Sequence, residues 1–135
     1  MIVYHHNDMD GKGAAYCVHT LKPKEIKDNA SSYVMMTYDD EFDKHTPKDD
    51  VFIVDLSISE NTYSKLLKVC KTARTVTWID HHESSVSVVS NHKDELQNIS
   101  NLTYFISKCA CGAALTYAYL HIDRNNLLKI RKIEE

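Results

Sequence analysis

Three short apolar runs constrain this chain more than any other feature: Ile2-Val3-Tyr4, Val51-Phe52-Ile53-Val54 and Thr75-Val76-Thr77-Trp78-Ile79. Each is rich in β-branched and aromatic residues, and each ends at a cluster of polar, ionisable ones. Such runs read as buried strands of a parallel sheet. Between the second and third lies Glu60 to Lys71, where Tyr63, Leu66, Leu67 and Cys70 recur at the spacing of one helical face, behind a candidate capping box from Ser57 to Glu60. That sequence of elements is a βαβ unit. Lys12 to Leu21 predicts a helix with Ala14, Val18 and Leu21 on one face, ended by Pro23, and Tyr33 to Tyr38 predicts a fourth strand. Tyr104-Phe105-Ile106 predicts a fifth, Ala110 to Leu120 a small-residue-rich helix, and the tail from His121 to Glu135 a weakly patterned one. The acidic stretch from Asp39 to Asp50 reads as a solvated loop. The expected fold is therefore α/β, a mainly parallel sheet flanked by helices. A chain of 135 residues fits one such domain spanning residues 1–135, and no second domain need be invoked.

The clusters at the strand ends carry the chemistry. After the first run comes His5-His6-Asn7-Asp8-Met9-Asp10-Gly11, after the second Asp55-Leu56-Ser57, and after the third Asp80-His81-His82. In an open parallel sheet the loops beyond the carboxyl ends of the strands converge on one crevice, where ligands bind. Carboxylates gathered there repel one another unless cations neutralise them, and a pair of metal ions is the economical solution. Carboxylate oxygen mixed with imidazole nitrogen, without thiolate, suits Mn²⁺, with Mg²⁺ or Co²⁺ as alternatives. Taken singly, Asp-x-Asp reads as a turn or helix cap and His-His as an exposed pair on a loop. Three strands that each deliver Asp or His to the same end favour the metal reading.

At this point the sequence resembles a known family. His6-x-Asp8-x-Asp10-Gly11 followed by a small-residue helix resembles the first motif of the DHH phosphoesterase superfamily. Val54-Asp55-Leu56-Ser57 resembles its second motif, and Asp80-His81-His82 is the tripeptide that names the family. Cys111-Gly112-Ala113-Ala114-Leu115-Thr116 is similar to the small-residue helix that follows in many members, so the resemblance covers residues 1 to about 120. The resemblance implies a Rossmann-like domain with a dinuclear centre. His6 and Asp8 would hold one metal, Asp10 and His81 the other, and Asp55 would bridge them. His82 would face the substrate phosphate, and Asp80 would orient His81 from behind. The sequence departs from the family pattern in lacking a clear fourth-motif aspartate; Asp123, the only late one, has surroundings that match poorly. The second, substrate-binding domain that many members append is not evident either, so the chain reads as a fragment or as a minimal protein that completes its site by oligomerising or with water and substrate ligands.

Other features bound the function without extending it. A formal charge of −3 argues against strong nonspecific attraction to nucleic-acid backbones. No apolar run reaches the ~18 residues of a membrane span, the first 20 residues are too polar for a signal peptide, and a cytoplasmic location with no membrane partner is expected. Cys17, Cys70, Cys109 and Cys111 then read as thiols, and Cys109-x-Cys111 as packing residues rather than half a zinc site. Lys12 reads as a solubilising lysine or a phosphate contact. Three glycines cannot build a glycine-rich nucleotide loop. The expected activity is metal-dependent phosphoester hydrolysis, acting as a phosphodiesterase or phosphatase on nucleotides or short single-stranded oligonucleotides. The alternatives are a pyrophosphatase-like hydrolase, which would need a basic clamp, and a non-catalytic metal- or nucleotide-binding module.

Overall fold

The computed structural model describes residues 1–22, 31–121 and 132–134. Among these described residues six strands form a single sheet: β1 (Ile2–His6), β2 (Ser32–Met36), β3 (Asp50–Val54), β4 (Thr75–Asp80), β5 (Leu102–Ile106) and β6 (Lys132–Glu134). Their spatial order is β2-β1-β3-β4-β5-β6, and every neighbouring pair is parallel. The helices are α1 (Met9–Leu21), α2 (Tyr63–Thr72), α3 (Glu83–Asn91), α4 (Lys93–Gln97) and α5 (Gly112–His121). The expected α/β architecture is the one observed.

Alternation along the strands divides the core into two layers, because successive side chains leave a strand on opposite faces. Ile2, Tyr4, Val51, Ile53, Val76, Trp78, Leu102 and Tyr104 enter one layer, where Leu66 and Val69 of α2, Val88 and Val89 of α3 and Leu96 of α4 cover them. Val3, Phe52, Val54 and Ile79 enter the other, against Ala14 and Val18 of α1 and Leu115 of α5. With both faces covered, the central strands can be buried along their whole length, as all five residues of β3 are. The chain leaves β1 for β2 on one side and returns to β3 on the other. The fold's topological switch point therefore lies between β1 and β3, where a crevice opens at the carboxyl ends of the strands.

Several elements differ from the sequence expectation. The Ser57–Glu60 capping box does not form. Instead Thr62 Oγ1 accepts from the Ser59 amide at 2.9 Å, α2 begins at Tyr63, and Glu60 is drawn away to His92 Nε2 (2.7 Å) and Asn91 (3.0 Å). Helices α3 and α4 were not expected. The stretch from Asp39 to Asp50 is mostly exposed, but Phe42 packs edge-on against Tyr4 with ring centroids 5.0 Å apart. The buried Tyr4 hydroxyl accepts from the Lys44 amide at 2.9 Å and pairs with His45 Nδ1 at 2.8 Å. Asp50 is no loop residue. It opens β3, is buried, accepts from Thr75 Oγ1 at 2.6 Å and pairs with Arg74. In the tail, Lys132–Glu134 extend the sheet edge beside β5 rather than a helix, pairing Tyr104 with Lys132 and Ile106 with Glu134. The rest of the expected tail helix, with Asp123, lies outside the described residues.

Candidate metal centre

Two close backbone approaches build the crevice. The first is α1 against the end of β1: a Cβ placed on Gly11 would lie 2.1 Å from the His6 carbonyl oxygen, so only glycine lets the helix start this near the strand. The second is α5 against the end of β3, where a Cβ on Gly112 would lie 2.5 Å from Asp55 Oδ1. Both approaches direct helix N-termini, with their free N–H groups, toward the carboxylates.

Asp8 caps α1 by accepting from the Gly11 amide at 2.7 Å, and its other oxygen pairs with His6 Nδ1 at 2.8 Å. The Gly11 amide and the His6 ring hold its carboxyl below the ordinary value. Asp10 reaches 102 positions along the chain to α5, accepting from the Gly112 amide at 2.8 Å and the Ala113 amide at 2.7 Å. Partial burial works against the Asp10 carboxylate, but those two amides outweigh it and bring its pKa down. The cap reading of Asp-x-Asp thus holds for both aspartates. A carboxylate oxygen that accepts one N–H keeps a lone pair for a second partner, so capping and metal ligation are compatible.

Asp55 is the centre of the cluster. It follows β3 with φ of +54°, a left-handed conformation that costs a non-glycine residue about 1 kcal/mol or more and is found where surrounding structure imposes it. Its amide continues the ladder by donating to the Ile79 carbonyl at 2.9 Å, while its carboxylate, 1% exposed, contacts His81 Nε2 at 3.0 Å through Oδ1. Oδ2 is buried without a hydrogen-bond partner. Burial first, then the charges of Asp10, Asp8 and Asp80, push the Asp55 carboxyl up to about 8. His81 Nε2 also stands 3.3 Å from Asp10 Oδ2, joining the ends of β1, β3 and β4.

The third cluster corrects one expectation: Asp80 does not orient His81. The fully buried Asp80 carboxylate binds His82, with Oδ1 2.7 Å from His82 Nδ1 and Oδ2 accepting from the His82 amide at 3.3 Å. The reason is the period of an extended chain, which places residues i and i+2 on the same side. His81 is held by Asp55 and Asp10 instead. The Asp80 hydrogen bond outweighs burial and raises the His82 pKa. Two residues with no role assigned from the sequence complete the site. Ser85 of α3, fully buried, donates to Asp80 Oδ2 at 2.5 Å while accepting from the Ile58 amide at 3.0 Å. Ala113, with Gly112, supplies the amides that fix Asp10. A serine five positions beyond a strand-end aspartate was the available signal for Ser85; Ala113 stood in the small-residue motif Cys111–Thr116, but nothing local tied its amide to Asp10.

The geometry therefore gathers His6, Asp8, Asp10, Asp55, Asp80, His81 and His82 at one sheet end. Ligand atoms of His6, Asp8 and Asp55 all lie within 4.8 Å of one another, as do those of Asp55, Asp80, His81 and His82. The two groups share Asp55. Lys12, in the first turns of α1, is exposed and, among the described residues, makes no side-chain contact that would assign it a role. A divalent cation fits a buried carboxylate oxygen that has no hydrogen-bond partner among the described residues and lies beside three further carboxylates.

A crevice of clustered carboxylates and imidazoles at the switch point of a doubly wound parallel sheet defines the class: an α/β domain with a candidate divalent-metal centre. The chain belongs to the DHH family, whose N-terminal domain matches residues 1–134. Members of that family are generally metal-dependent hydrolases of phosphoester and phosphoanhydride bonds. Comparison with curated proteins and with solved structures returned no match. Among the described residues no helix is long and apolar enough to cross a membrane.

Proposed function

We propose that this domain hydrolyses phosphoester bonds of nucleotides or short oligonucleotides with two Mn²⁺-type ions. The observation that carries the reading is Asp55, a buried carboxylate with one oxygen unpartnered and shared between two ligand groups. His6 and Asp8 are assigned to one ion, Asp10 and His81 to the other, and Asp55 to both. The ions would supply Lewis-acid activation of water and of the phosphoryl oxygens at neutral pH.

The remaining work falls to the chain. The Gly112 and Ala113 amides hold the Asp10 carboxylate in place and ionised. The Gly11 amide does the same for Asp8, so neither ligand needs to swing into position. His82 has its Nδ1 engaged by Asp80, which fixes the ring and leaves Nε2 to serve the substrate. With its pKa raised by that bond, His82 can donate a proton in a hydrogen bond to a phosphoryl oxygen as negative charge grows there. Asp80 is thus a positioning residue for His82, and Ser85 in turn positions Asp80.

The test is incubation of the chain with Mn²⁺ and a labelled three-nucleotide RNA beside an Asp55→Asn variant. Release of mononucleotides by the parent, lost in the variant and on chelation, is expected. Mn²⁺ binding without cleavage of RNA, dinucleotide or a nucleoside monophosphate would refute the catalytic reading.

A further inference from the structure

An exposed aromatic ring stands at the edge of the metal centre. Tyr38, two residues past the end of β2, places its ring centroid 5.4 Å from that of His6, the planes tilted by 37°. Strand register accounts for the proximity: Met36, the last residue of β2, pairs with His6, the last of β1. Tyr38 therefore leaves the sheet at the level of the crevice. Tyr38 is 55% exposed, yet its backbone is braced. The Thr37 amide donates to Asp40 Oδ2 at 2.7 Å, the Thr37 hydroxyl donates to the same oxygen at 3.1 Å, and the Asp40 amide returns to the Thr37 carbonyl at 3.3 Å. Tyr38 is the first inner residue of that closed turn. On its other side it lines a shallow cleft with Leu56 and Ser57, the two residues that follow Asp55.

A metal centre attracts any phosphate ester and does not distinguish what the phosphate is attached to. A flat apolar ring on a rigid turn, wet on one side and adjoining a ligand histidine, recognises a different part of a substrate. Aromatic side chains presented in this way stack nucleobases, and they tolerate any base because each has a π-face. We infer that Tyr38 is the platform on which a nucleobase of the substrate stacks, so that the site selects nucleotides over other phosphate esters; the inference rests on the phosphoester-hydrolase reading above.

The experiment compares the Mn²⁺-loaded chain's calorimetric affinity for 5′-AMP and ribose 5-phosphate, which differ only in the base, in the parent and in Tyr38→Ala and Tyr38→Phe. The parent should bind 5′-AMP roughly tenfold more tightly, the order of effect that base–aromatic stacking supplies. Tyr38→Ala should bring 5′-AMP down to the ribose 5-phosphate level and leave the latter unchanged, whereas Tyr38→Phe keeps the preference. Equal affinity of the parent for the two probes would overturn the stacking role while leaving the phosphate site standing. Parallel losses for both probes in Tyr38→Ala would also overturn it, making Tyr38 a support for His6. Binding of neither probe by the parent would defeat the phosphoester reading itself, and the Tyr38 inference with it.

Discussion

Replacing Asp55 with asparagine should make the metal-free domain more stable at neutral pH while abolishing its response to metal. The carboxyl has an ordinary value of 3.8 and is pushed up to about 8 in the fold, by burial and by the neighbouring Asp10, Asp8 and Asp80. Between those limits the folded chain keeps a proton that the unfolded chain has released. Stability must then fall as pH rises through the window and level off above it. At 1.36 kcal/mol per unit, the interval from 3.8 to pH 7 sets a ceiling of about 4 kcal/mol on what this one group withdraws from the metal-free fold. Asparagine has the shape of the neutral acid, does not titrate, and offers an N–H to the surrounding carboxylates. Urea unfolding in a chelator from pH 5 to pH 9 reads the effect. The gap between variant and parent should widen in the variant's favour up to pH 8 and then stay constant. Added Mn²⁺ should reverse the order by stabilising only the parent, since a ligand that binds the folded state alone adds stability as the logarithm of one plus its concentration over its dissociation constant. A gap that stays flat across this range, or a variant less stable than the parent at pH 8 without metal, would refute the reasoning.

Gly112→Ala places a methyl group 2.5 Å from Asp55 Oδ1; the overpacking should cost about 1–3 kcal/mol in a melting experiment and weaken Mn²⁺ binding at least tenfold by calorimetry. Ser85→Ala removes the hydroxyl that serves both Asp80 and the Ile58 amide, and a loss of about 1–3 kcal/mol should follow from leaving buried groups unpaired. The His82 ring should titrate above its ordinary 6.5 because of Asp80, so the stability it adds is present in full below 6.5 and is lost as pH rises through the folded value. In Asp80→Asn an imidazole titration followed by NMR should return toward 6.5, and an unmoved His82 resonance would contradict the pairing.

How much was legible in the sequence depends on the range of the interaction concerned. The strands β1, β3 and β4 were readable because burial on both faces demands apolar runs, and the ligands stood out because each run stops at ionisable residues. The pairing of Asp80 with His82 was also implicit, since residues two apart on an extended chain share a side; attention to the family tripeptide alone pointed to His81. Helix α3 was not readable. Its β-branched Val86, Val88 and Val89 among serines carry weak helical preference, and it is tertiary contact, through Ser85 to Asp80 and through Val88 and Val89 to the core, that makes the segment helical. The same holds for Lys132–Glu134, whose strand state comes from the open edge of β5.

The sequence by itself determined which chemical groups this protein owns and that they sit at strand ends, because hydrophobic patterning and local residue chemistry are properties of neighbours in the chain. Only the tertiary structure decided how those groups act on one another. The Asp10 carboxylate meets the α5 amides 102 positions away, the positive φ at Asp55 turns its buried oxygen into the cluster, and Tyr38 is brought beside His6 by a strand register. Distances and burial set the charge each group carries, and those exist only once the chain has closed on itself.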